Sequence, residues 1–289
     1  NQSTSLVIHP SAAGATNTGT LRAADNATLE VTSGTYTNTG GTIEALTGST
    51  VRFESAIVTG GTLTTTGSGK LLNAASSSFS NLSLSSGSVF DVANATTATF
   101  AGTVANHGTV NLLSAGNSTD LIAGSGGLTL SGGGILALGN NTNNRIYGTT
   151  GTTTLINLDN TIRGAGQIGA NQLQLDNRGL IEAHLAGATL TLDPSGSGFV
   201  NSGTLQALNG GILTLTSGAF DNTGGTIRAQ AGSTVHLQSA TVTGGTFDVG
   251  ATGSVTLDSS TINGGTFNGA SSGTISTTGG ANTLGGAVI

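Results

Sequence analysis

The chain has 289 residues, of which 49 are Gly, about 17% against a usual value near 7%. Charged residues make up 7%, with seven Lys and Arg against thirteen Asp and Glu, a formal net charge of −6. Seven scattered cations form no basic stripe for phosphates or anionic lipid, so neither nucleic acid nor an anionic membrane surface is an expected partner, and with no apolar run long enough to span, no membrane insertion of this segment is expected. The absence of Cys excludes a disulfide framework and a thiolate metal site. Without Met, even at position 1, and without a signal peptide or an apolar run of the roughly 18 residues a membrane helix needs, the chain is expected to be processed or an internal segment of something longer.

In chain order, residues 1–16 carry one apolar patch, Leu6-Val7-Ile8, before Pro10, and are read as a leading strand and turn. Residues 17–100 form a regular array. Thr28-Leu29-Glu30-Val31-Thr32 and Thr50-Val51-Arg52-Phe53-Glu54 alternate with the period of two that marks half-buried strands. Asn38-Thr39-Gly40-Gly41 and Thr59-Gly60-Gly61 supply corners. Residues 101–200 are less regular. Asn106-His107-Gly108 and Asn177-Arg178-Gly179 keep the corner, and the stretches Ser114–Gly127 and Gly139–Gly151 are expected to bulge out as loops.

Residues 201–289 return to a regular array, and the Gly-Thr-apolar step begins at Gly203, Gly225, Gly245 and Gly265. A period of 20 to 22 residues marks a solenoid. Displaced by 184 positions, residues 17–63 lie on 201–247 without a gap, and 27 of 47 positions are identical. Where the copies differ, Arg22 becomes Gln206, Glu44 becomes Arg228 and Arg52 becomes His236, so those outward slots read as solvated surface. Three short strands per unit predict an all-β fold, a right-handed, triangular parallel β-helix of about 13 coils and roughly 60–65 Å long. Leu, Val and Ile should fill it, with Phe53, Phe220, Phe247 and Phe267 as larger fillers.

Stacked coils place like on like, so Asn17, Asn38, Asn177, Asn201, Asn222 and Asn263 are expected to form one corner ladder of hydrogen-bonded amides. Asp159, Asp176 and Asp193, spaced 17 and 17, each follow a Leu. Stacked at one corner they would attract Ca²⁺; as Asx turn residues they would accept backbone N–H groups instead. No other cofactor is implied. The acids are otherwise spread singly, unlike the clustered carboxylates of a hydrolase.

The unit N-[TS]-G-T-[LI]-x-A, the corner NTGGTI and the phrase LDNTIRGAGQIG…LDNRGLIEA resemble the repeats of filamentous-haemagglutinin-like and autotransporter-type bacterial adhesins, over roughly residues 17–277. The resemblance implies a secreted or bacterial cell-surface rod that displays binding regions or acts as their stalk. A structural subunit self-associating end to end into a fibre, and a carbohydrate-active β-helix enzyme, are the alternatives. The receptor, whether host surface, matrix or glycan, is not specified by the sequence.

Overall fold

Among the described residues, strands pair in parallel with the strand one coil before and one coil after, and those of the end coils on one side alone, in one continuous sheet of 34 strands wound into a solenoid. The structure is a computed structural model and describes residues 5–286. Residues 1–4 of the expected leading strand, and 287–289 at the end of the second regular array, lie outside the described residues. Among the described residues there is no helix.

Three walls follow one another along the chain. Wall A starts at Ser5–Ile8, wall B at Ala15–Thr16 and wall C at Thr20–Ala23. Wall A then rises through Leu29, Val51, Leu71, Phe90, Val110, Leu136, Ile162, Ile181, Leu205, Ile227 and Phe247 to Phe267, each in register with the next. Counting Leu6, that column has thirteen rungs, or about 58 Å of axial rise at 4.8 Å per coil.

Alternation puts Leu, Val, Ile and Phe inside and Thr, Ser, Asn and charge outside. All eight Phe are buried. Phe53, Phe79, Phe90 and Phe100 form an edge-to-face cluster with centroids 5.0–6.0 Å apart. Phe199 lies over Phe220, and Phe247 over Phe267, at 5.3 and 4.7 Å. Such pairs add about 0.5–1.5 kcal/mol beyond their burial. Tyr36 closes the first coils from inside, its hydroxyl within hydrogen-bond reach of the carbonyls of Ile8 and Thr32, at 2.7 and 2.6 Å.

Some corners are tighter than the expected Gly and Asn turns. Thr50–Thr59 covers walls A and B as one ten-residue strand, bending at Ser55, whose φ of 56° is left-handed. Ser217, Ser239 and Ser259 do the same between walls B and C.

Of the two stretches expected to protrude, the first belongs largely to the wall and the second in part. Thr119–Ser131 is a strand through most of the first, leaving a short exposed turn at 115–118. Within the second, Asn144–Gly148 is a wall B strand with Asn144 and Ile146 buried. Its Asn-rich composition suggested a loop, but an inward Asn at a corner is a structural amide in this fold.

The two matching arrays do not sit on the same walls. Leu21 lies in wall C and its counterpart Leu205 in wall A; Leu29 lies in wall A and its counterpart Leu213 in wall B. Eight coils separate Leu29 from Leu205, whereas Leu21 precedes Leu29 by one wall. The 184-residue offset is therefore eight coils plus one wall, and the second copy is turned by one wall of three about the axis.

Candidate functional site: amide corners and the outer face

The rotation divides the asparagines between two corners. Asn17 and Asn38 follow wall B strands, and Asn17 Nδ2 donates to Asn38 Oδ1 at 2.7 Å. Asn177 and Asn201 end wall C strands, and Asn222 follows one. There Asn177 donates to Asn201 at 2.8 Å and Asn201 to Asn222 at 2.7 Å. Sequence reading left three members out of this second ladder. Asn157 donates to Asn177 at 2.8 Å, and Asn106 to Asn160 Oδ1 at 2.8 Å. The same amides hold corner carbonyls, as Asn38 holds those of Gly41 and Gly60. All of these asparagines except Asn17 are buried.

Asn263 stands outside both ladders. Asp221 is in register with Thr243, and Thr243 with Asn263. Asn263 therefore aligns with Asp221 and not with Asn222, and one residue of offset turns its side chain to solvent.

The three aspartates are not brought together. Asp159 is exposed beyond a wall C strand, where it accepts the backbone N–H groups of Gly132 and Gly133 at 3.2 and 3.0 Å. Asp176 lies within wall C between Ile156 and Val200 and binds Arg178 at 2.7 Å. Asp193 follows a wall B strand, with Gln167 Nε2 at 3.4 Å, and burial raises its carboxyl above the usual range. Seventeen residues fall short of a coil here, since Ile156 to Asp176 spans 20 and Asp176 to Val200 spans 24. Equal spacing thus walks the residues around the cross-section instead of stacking them. Among the described residues no three His, Cys, Asp or Glu side chains are grouped to hold a metal ion.

The charges form their own pattern. Four pairs stand directly opposite on neighbouring coils: Arg22 with Glu44, Arg145 with Asp120, Arg163 with Glu182, and Arg228 with Asp248. In two more, Arg52–Glu54 and Arg178–Asp176, the partners are two residues apart along the chain. Pairs exposed on both sides contribute about 0–1 kcal/mol each, and standing in register they favour one coil register over another; Asp120 and Glu182 are themselves buried. The Gly-Thr-apolar step adds threonine columns: Thr20, Thr42 and Thr62 in wall C, and Thr204, Thr226, Thr246 and Thr266 in wall A.

The most ordered outer cluster was not singled out from sequence. Arg145 donates to both oxygens of Asp120, at 2.8 and 2.7 Å, and Tyr147 Oη donates to Asp120 Oδ2 at 3.1 Å. The guanidinium carbon stands 5.2 Å from the Tyr147 ring centroid, a cation–π geometry. The bond to Asp120 raises the Arg145 pKa, while burial first, and then the Asp120 charge, raise that of Tyr147. The available signal was an Asp about one coil before an Arg-x-Tyr.

These walls, ladders and paired charges define a parallel β-solenoid rod with a sparsely charged, hydroxyl- and amide-rich coat. No family model matches the sequence, and no curated protein matches it. Among solved structures, a TibC-catalysed hyper-glycosylated TibA55-350 fragment is similar at 17% identity, with a TM-score of 0.47, covering 94% of this chain and 99% of that one.

Proposed function

We propose that this chain is a non-enzymatic rod segment of a large exported bacterial adhesin, a stalk or display scaffold in cell adhesion or biofilm, secreted or held at the bacterial surface. One observation carries the reading: thirteen coils form a single unbroken parallel sheet. Its corner asparagines are spent on buried coil-to-coil ladders, and most of its surface arginines on ion pairs. Such a chain transmits length and stiffness, and each coil adds about 4.8 Å of reach. The sequence resemblance of the N-[TS]-G-T-[LI]-x-A units supports the adhesin class.

The test is immunogold labelling of intact producing cells together with small-angle scattering of the purified chain. Surface label and a rod of about 58 Å axial length are expected. Label confined to the cell interior overturns the reading. Growth in axial length with protein concentration gives the fibre subunit instead, and release of reducing sugar from a polysaccharide panel gives the enzyme.

A further inference from the structure

The corner that joins walls B and C changes length abruptly between two coils. From Ala123 to Leu128 the chain turns through Gly124, Ser125, Gly126 and Gly127. On the next coil Gly148 and Leu155, in register with Ala123 and Leu128, are joined by Thr149–Thr154, two residues longer. The longer corner overhangs the shorter one and leaves an open cleft of about 350 Å³. Its floor at Gly126 and Gly127 is bare backbone, in a left-handed conformation with φ of 89° at both, and a Cβ at Gly126 would point into open space.

Hydroxyls make the walls. Thr149 and Thr153 Oγ1 are 3.1 Å apart, and Thr150 Oγ1 is 3.2 Å from those of Thr152 and Thr153. Thr153 is only 7% exposed, and the Gly151 carbonyl accepts from Ser197 Oγ at 3.2 Å, so the overhang is pinned. Thr149, Thr150 and Thr152 remain exposed. Two residues before Thr149, on the outer side of the strand Asn144–Gly148, is Tyr147, at most about 7 Å away along the chain. Among the described residues it is the one aromatic side chain outside the core. Asp120 and Arg145 fix its ring, and the residue in register with it on the next coil is Gly169, which presents no side chain to it.

The geometry points to this cleft, with Tyr147 on its rim, as a binding subsite for a neutral saccharide. A hydroxyl both donates and accepts, so a fixed row of them matches the hydroxyls of a sugar. An immobilised ring offers the flat apolar surface that the C–H face of a pyranose needs, at little entropic cost. No charged side chain lines the cleft, and the nearby Arg145 charge is already held bidentate by Asp120. An anionic sugar therefore finds no free counter-charge. This goes beyond the rod reading, which asks for no ligand here, and either can fail alone.

The test is amide chemical-shift mapping on the full chain with lactose, maltose and cellobiose, to about 20 mM, a range that registers millimolar dissociation constants. At least one should shift the amides of 125–127 and 147–154 saturably. Thr152→Val and Tyr147→Ala should each weaken that titration about fivefold or more, with melting curves showing the rod intact. Thr256→Val, on the outer face of wall B far along the rod, should leave it unchanged. No saturable shift at these amides with any of the three overturns the proposal. So does an unchanged affinity in both cleft variants, or tighter binding of sialyllactose than of lactose.

Discussion

Leu21 and Leu205 hold the same place in two copies of one sequence unit, yet they lie on different walls of the rod. Coils between them vary from 19 residues, between Leu71 and Phe90, to 26, between Val110 and Leu136. The repeat records descent; the stack records accumulated coil length. Any feature written into the repeat is thereby displayed in two directions along the rod.

The amide ladder distinguishes residues that look alike in sequence. Asn201→Ala removes a bond from Asn177 and a bond to Asn222 inside a buried corner. A loss of about 2–3 kcal/mol is expected, read as a lower urea midpoint. Asn263→Ala, at an exposed position, should change stability by less than about 0.5 kcal/mol. Equal effects at the two sites would refute the register described here.

Two corner glycines provide a second contrast. Gly224 and Gly245 have φ of 80° and 74°. A Cβ at Gly224 meets nothing within 4 Å, so Gly224→Ala should lose about 1–2 kcal/mol to the left-handed backbone alone. At Gly245 it would lie 2.1 Å from the Asn222 carbonyl oxygen and 2.2 Å from its Nδ2. Gly245→Ala should therefore destabilise at least twice as much in denaturant melts and break the ladder at Asn222.

The four-Phe cluster should make the first array separable from the second. Phe79→Ala removes the ring packed against Phe53, Phe90 and Phe100, a loss of about 3–5 kcal/mol. Solenoid stability is a sum of neighbour terms, so hydrogen exchange should accelerate across residues 50–106 and stay slow near Phe220 and Phe247. Uniform acceleration along the rod would show one cooperative unit.

Asp193 carries a pH signature. Burial raises its carboxyl, so the folded chain holds that proton more tightly than the unfolded chain. Stability at this site therefore falls as pH rises through the window between the unfolded value, about 3.9, and the raised folded value. Asp193→Asn should raise the melting temperature at neutral pH, and the gain should vanish below that window. A gain that persists in acid would mean the substitution acts through packing.

Much of this fold was legible in the amino-acid order. A beat of 20 to 22 residues, strands alternating at period two, and Asn-Gly corners are local facts, and together they require parallel coils with Leu, Val, Ile and Phe inside. The sequence also marked Asn177, Asn201 and Asn222 as corner amides, because each opens the same motif. The tertiary structure alone decided which corners coincide. Stacking depends on the summed length of every coil between two positions, so a few residues added anywhere turn all that follows. That sum moved Asn17 and Asn38 to another corner, separated Asp159, Asp176 and Asp193, and set Arg145 beside Asp120. A single residue of offset was enough to turn Asn263 outward.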